Sequence, residues 1–345
     1  MKTRLTELLG IRHPIIQPGM GLVATPALVI ATCKAGSLGF LGTQLATPAK
    51  LRRQIREIRG ALRDGLFGLN LVPHRPGFKR YMDVALEEKV PVLGSGLRDP
   101  FRTVGIKKPG NVIYVATVGS ARQAANVERA GADAVIVQGW EGGGHTSQIA
   151  SMVLIPEAVE AVKVPVIAAG GICDGKGLAA ALALGAEGIA MGTRFAVTQE
   201  SPLPDRLKQA YLKAADRDAV LSAVWDGLPE RVIRGKKMER YPGWWTHFWD
   251  LIPALLAAKR DYDAGWNDMW LTFKMVRQMR WSPPQFLLGM EKTRNTMESG
   301  DITRGYSPAG QVVGRIDDIP TCQELVERTV KEAEDIIQGL QGRVL

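Results

Sequence analysis

The chain has 345 residues, 46% of them hydrophobic and 23% charged, a balance that supports a large buried core and excludes a disordered chain. Lys and Arg outnumber Asp and Glu by 44 to 35, a net charge of +9, which favours anionic ligands. The basic residues are scattered except for Arg231, Arg234, Lys236 and Lys237, with no basic stripe interleaved with aromatics, so nucleic acid is not an expected partner.

The start, Met1-Lys2-Thr3-Arg4-Leu5-Thr6-Glu7, lacks the apolar stretch of roughly 7 to 15 residues that a secretory signal needs. No later run reaches the ~18 apolar residues of a membrane span. A cytoplasmic protein without a membrane span is the expectation. From Pro14 to about Thr198 short apolar or β-branched runs alternate with longer alanine-rich segments, each pair closed by glycine or proline. The runs that predict strands are 14–17, 38–41, 68–72, 90–93, 112–115, 134–138, 164–168 and 188–191. Near-continuous apolar strands indicate a parallel sheet covered by helices. Eight such units predict a (β/α)₈ TIM barrel, with an open doubly wound sheet as the alternative. Gly175 to Leu184 has a helix former's composition, with Asp174 as its cap and Gly185 as its stop.

After Phe195 the character changes. Seven of the eight tryptophans fall between Trp225 and Trp281, and Trp244, Trp245, Phe248 and Trp249 stand close together. A barrel uses about 250 residues, so the expected division is a barrel from 1–200 and 300–345 with a helical, Trp-rich insertion or lid domain at 201–299. That region also suits a homodimer interface. Residues 322–337 read as an amphipathic helix closing the outer ring. Cys33, Cys173 and Cys322 are three, far apart in sequence, and read as buried free thiols rather than a disulfide framework or a metal site.

In a barrel of this type the site lies at the C-terminal ends of the strands, with phosphate often held after the seventh and eighth. Gly170-Gly171 follow the seventh run and Gly192-Thr193 the eighth. Backbone N–H groups at glycines can approach an anion closely, the helix beginning near Asp174 adds a positive dipole end, and Thr193 can donate its hydroxyl. The plain alternative is that these glycines only permit tight turns. The sixth run leads into Gln138-Gly139-Trp140-Glu141-Gly142-Gly143-Gly144-His145-Thr146-Ser147. Such a loop can lie flat against a planar ligand, with Gln138 on a polar ring edge and His145 as acid, base or hydrogen-bond donor; its bland reading is a surface turn with a solvated histidine. His13 reads as structural, His74 as a residue lining the site and His247 as packing. No histidine or cysteine spacing suggests a metal, so none is expected.

At these residues the sequence resembles the nitronate monooxygenase family, formerly the 2-nitropropane dioxygenases, and the related flavin-dependent enoyl reductases of bacterial fatty acid synthesis. The resemblance covers Pro14 to Met20, Ala35 to Gly39, Phe67 to Asn70, Gln138 to His145, Ala168 to Phe195 and Ala309 to Val312. It implies an FMN enzyme. Pro18, Gly19, Met20, Asn70 and Gln138 would surround the isoalloxazine and ribityl chain, with Gly143 and Gly144 close by. Gly170, Gly171, Gly192 and Thr193 would take the phosphate, and His145 falls on the family's catalytic histidine. The leading expectation is oxidative denitrification of alkyl nitronates with O₂. The alternatives are an NAD(P)H-dependent flavin reductase of an enoyl or coenzyme A thioester substrate, and an NAD(P)H:quinone reductase. Glu141-Gly142-Gly143-Gly144-His145-Thr146-Ser147 replaces the Glu-Ala-Gly-Gly-His-Arg-Gly of many relatives. It is similar to the run in flavin-dependent reductases that act on coenzyme A thioesters in steroid ring degradation. In that branch Lys236 and Lys237 would meet coenzyme A phosphates and the aromatic helices would cover the acyl group. A protein that only binds partners or membrane surfaces through its tryptophans is the reading from a different class.

Overall fold

The structure, a computed structural model, describes residues 1–43, 46–63, 65–73, 75–96, 99–223, 229–235, 256, 259, 263, 265–268, 270, 274, 293–303 and 305–344. Eight parallel strands form a closed barrel in the order β1 (Ile15–Gln17), β2 (Leu38–Gly42), β3 (Gly68–Leu71), β4 (Val92–Gly96), β5 (Ile113–Val118), β6 (Ala134–Gln138), β8 (Val166–Ala169) and β9 (Gly188–Ala190). Closure is by β9 on β1, with Ile15 opposite Ile189 and Ile16 opposite Ala190. The barrel expectation holds, and the open sheet does not.

Of the four strands that start one or two residues later than their apolar runs, three do so because those runs begin at or contain Pro14, Pro91 or Pro165. Proline has no N–H for a ladder but keeps its carbonyl. Those carbonyls accept from Ile189, Ile113 and Val135 at 2.9, 3.0 and 3.0 Å. The barrel interior is an apolar cluster of Ile16, Leu38, Phe40, Val92, Val115, Ala134, Ile136, Ile167, Ala169 and Ala190, closed at its foot by Leu5 and Leu9 of helix α1 (Arg4–Leu9). Phe40 explains two glycines. A Cβ on Gly68 would lie 2.4 Å from its ring, and one on Gly94 2.8 Å.

The outer ring comprises α2 (Pro26–Lys34), α3 (Pro48–Leu62), α4 (Phe78–Glu87), α5 (Pro100–Thr103), α6 (Ala121–Arg129), α7 (Ser151–Ala161) and α8 (Gly175–Ala183). Short α9 (Thr193–Ala196) and α10 (Asp205–Leu212) follow, and α11 (Cys322–Val344) returns to the ring. Asp174 caps α8 as expected, its carboxylate accepting from Gly177 N at 3.0 Å. The return of α11 is close: a Cβ at Gly175 would fall 2.5 Å from Ala333 N.

The region expected to be helical, 201–299, also contains strands. β10 (Ala219–Ser222) and β11 (Glu230–Arg234) pair antiparallel, and β12 (Tyr306–Pro308) pairs β11 on its other edge. On that same edge β11 also pairs β7 (Gly144–His145), the end of the glycine loop. These strands are short, and the charges of Glu230, Arg231 and Arg234 hide their pattern; Val232 and Ile233 supply the buried apolar residues of β11, and Glu230 and Arg231 are buried beside them. The expectations for Trp225, Trp244, Trp245, Phe248, Trp249, Trp281, Lys236, Lys237, His74 and His247 concern residues outside those described. Of the tryptophans in 201–299 that are described, Trp266 and Trp270 are exposed. No helix among the described residues is long and apolar enough to cross a membrane.

Candidate active site

Each predicted site residue sits at the C-terminal rim of the barrel. Pro18, Gly19 and Met20 follow β1, Asn70 lies in β3, Gln138 ends β6, and Gly143 leads into Gly144 and His145 on β7. Gly170 and Gly171 follow β8, while Gly192 and Thr193 follow β9. Packing draws these loops together. A Cβ on Gly19 would lie 2.1 Å from Asn70 Cβ, and one on Gly192 would lie 3.7 Å from Met20 Sδ and 4.0 Å from Pro18 Cγ. The β1 loop is thus lodged between β3 and the β9 loop.

The glycine loop is fixed from both sides. Gln138 Nε2 donates to the carbonyls of Gly143 and His145, each at 3.0 Å. Glu141 folds back to the start of α7, where its carboxylate accepts from Ser151 N at 3.0 Å and Ser151 Oγ at 2.8 Å. Arg231 donates to Trp140 O through Nε and Nη2 at 3.2 and 3.0 Å and to Ala219 O through Nη1 at 2.8 Å. Burial pulls the Arg231 pKa down, and Glu141 opposes this. His145 itself is exposed at the rim.

Sequence reasoning missed Arg231, read as part of a solvated cluster although it is 3% exposed, and, while it assigned 300–345 to the barrel, it named no residue of 309–311 at the site. A Cβ on Gly143 would lie 2.6 Å from Ala309 C and Gly310 N, Gly310 N donates to Thr193 Oγ1 at 2.9 Å, and Gln311 N donates to Glu141 O at 3.0 Å. The resemblance at Ala309 to Val312 was the available signal.

For an anion, the rim offers backbone and hydroxyl. Gly170 and Gly171 carry φ of 98° and 72°, a left-handed pair that other residues rarely adopt and that lets the main chain approach a ligand. Thr193 Oγ1 already accepts from Gly310, which leaves its hydrogen to donate. Arg194 is 3% exposed, and its Nη1 and Nη2 are taken by Val197 O, Asp318 O and the Asp318 carboxylate, while its buried Nε meets no partner among the described residues. One expectation is corrected: the positive end of α8 is already engaged. Besides Asp174, Glu332 accepts from Gly175 N at 2.8 Å, so two carboxylates meet the N–H groups there.

His13 lies at the foot of β1, away from the rim, and burial followed by Arg12 lowers its pKa. That fits its structural reading.

A closed (β/α)₈ barrel whose rim carries converging glycine turns and a histidine on a pinned loop has the arrangement of an enzyme. The chain belongs to the nitronate monooxygenase family, a family of oxidoreductases, whose model matches residues 2–76 and 72–332. It is 37% identical over 359 residues, 99% of this chain and 98% of the other, to a (3aS,4S,5R,7aS)-5-hydroxy-7a-methyl-1-oxo-octahydro-1H-indene-4-carboxyl-CoA dehydrogenase of Rhodococcus jostii. A probable nitronate monooxygenase of Staphylococcus aureus is 31% identical over 291 residues, 70% of this chain and 82% of the other. Among solved structures, FabK from Thermotoga maritima superposes with a TM-score of 0.81 at 34% identity, covering 99% of both chains.

Proposed function

We propose that this protein is an FMN-dependent oxidoreductase of a coenzyme A thioester, exchanging electrons with NAD(P)H. The observation that carries the reading is the extent of the 37% match, which takes in 99% of the chain and so spans 201–299, whereas the nitronate monooxygenase relative spans 70%. Substrate-determining segments are where enzymes on one barrel diverge.

The residues fit a flavin mononucleotide. Asn70 lies over Gly19, and Gly144, with φ of 71° and no atom within 4 Å of a built Cβ, gives the loop an open backbone face. Gly170, Gly171, Gly192 and Thr193 would hold the phosphate through N–H and hydroxyl. Pro18, Met20, Gln138 and Gly143 would border the ring. The bound flavin supplies hydride acceptance and donation. His145 holds or releases a proton at its imidazole, and Gln138 and Arg231 keep its loop in place. In this reading 201–299 is the lid over the acyl group, and its aromatic surface is also compatible with a homodimer. Nitronate oxidation is the second reading, favoured by the family model and the 31% relative.

Anaerobic stopped-flow of the FMN-loaded protein separates them. Flavin bleaching by NADH or NADPH, with propyl-2-nitronate inert, supports the thioester reading, and bleaching by nitronate alone overturns it. His145→Ala keeps FMN bound, because backbone contacts hold it, and lowers turnover by roughly 10²- to 10⁴-fold, as removal of a general acid–base group does. Unchanged turnover removes His145 from the mechanism.

A further inference from the structure

We propose that Glu230 is a positioning residue for His145, an acid supplied from outside the barrel that orients the imidazole and stabilises its protonated form. Glu230 opens β11, and the antiparallel register sets it opposite His145 on β7. Directly opposed residues in such a ladder project to the same face with Cβ atoms about 4.5–5.5 Å apart. Strand pairing therefore sets carboxyl and imidazole side by side.

The pairing is secured next door. Arg231 binds Trp140 O and Ala219 O at once, linking the His145 loop to β10 across β11. Glu230 is 8% exposed, and its charge reaches the buried Tyr211, whose hydroxyl is pushed up mainly by burial and further by Glu230. A carboxylate so far removed from water is stabilised by a nearby cation, and one within ~4–6 Å of a histidine favours imidazolium.

The other charged and titratable groups around the pair act differently. Glu141, earlier in the loop, is bonded to Ser151. Arg231 alternates to the opposite face of β11. Tyr211 of α10 is bonded to Ser307 Oγ and Pro308 O, each at 2.7 Å. Asp216, Arg217 and Asp218, on the turn before β10, are not buried. Glu230 is the acid whose place is set by His145 itself.

The inference rests on reading His145 as the group that handles the proton, and its test does not require turnover. The imidazole of His145 is titrated by ¹H–¹⁵N NMR in the full chain, its resonances assigned by their loss in His145→Ala. Glu230→Gln removes the charge at nearly constant volume and lowers the His145 pKa by about 1 unit. Glu230→Asp, which keeps the charge and shortens the reach, gives an intermediate value. In active protein the His145 limb of the pH–rate profile moves in the same direction. A His145 titration in folded Glu230→Gln that superimposes on wild type overturns the proposal, as does one in Glu230→Asp if the glutamine variant does not fold. A wild type that titrates as expected but turns over no thioester would instead count against the proposed substrate.

Discussion

Gly143 and Gly144 are adjacent, but the structure needs glycine at each for a different reason, and two substitutions separate the reasons. At Gly143 the obstacle is space. A Cβ there meets Ala309 C and Gly310 N at 2.6 Å and Ala309 Cα at 2.9 Å, all main-chain atoms that no rotamer change can move aside. Gly143→Ala therefore displaces the 309–310 segment and costs about 3 kcal/mol, the upper end of overpacking. At Gly144 the obstacle is conformation. Nothing lies within 4 Å, but φ is 71°, which costs an alanine roughly 1–2 kcal/mol. Asparagine tolerates the left-handed region better than alanine, so Gly144→Asn costs less than Gly144→Ala, while the bulkier Gly143→Asn costs more than Gly143→Ala. The two positions rank Ala and Asn in opposite orders. Guanidinium unfolding of the cofactor-free protein, followed by circular dichroism, gives the midpoints. The same ranking at both positions, or a Gly143→Ala no worse than Gly144→Ala, refutes the reasoning.

Two further outcomes follow from buried charge and buried sulfur. Hydrogen bonds from Arg328 foremost, with Arg194 adding charge and a hydrogen bond, hold the Asp318 carboxyl below its ordinary range. A lowered folded pKa contributes stability above the unfolded value and loses it as pH falls through the folded one. Asp318→Asn thus costs about 1–2 kcal/mol at pH 7, discounted for the carboxylate's partial exposure, and flattens the acid limb of stability; an unchanged limb in a urea titration would exclude the pair. Burial raises Cys33 and Cys173 to about 11 and Cys322 to about 12, leaving ~0.1% thiolate or less at pH 8. The native protein should not react with a thiol reagent there, and rapid native labelling would contradict the burial.

What was legible in the sequence was local. Apolar runs closed by glycine or proline marked the barrel strands, since a strand buried on both faces needs no polar alternation, and Asp174 marked the start of α8 because a cap acts three residues away. The rim glycines were legible because each follows its strand directly. Contacts set by tertiary pairing were not. Glu332 occupies the α8 N-terminus from the far end of the chain, and Arg231 looks solvated until β11 is seen to bury it. Glu230 carried no signal, because its meaning lies in its register with His145.

The same register bears on how one barrel can serve different substrates. β11 leaves the rim and β12 returns beside it, with Arg234 opposite Tyr306 and Gly235 N bonded to Gly305 O at 3.0 Å, so the chain from 235 to 305 is inserted between two paired strands. The entropy of closing such an insertion rises only slowly with its length. Its length and sequence can therefore change while β11 still pairs with β7 and Gly310 still bonds Thr193. Under the proposed function, a fixed rim beneath a variable cover would account for the coverage of relatives, 99% of this chain for the carboxyl-CoA dehydrogenase and 70% for the nitronate monooxygenase. Specificity should then follow 235–305: shortening that segment between Gly235 and Gly305 should raise the KM for a thioester far more than it slows reduction of the flavin by NAD(P)H, and equal losses in both would place the determinants in the barrel.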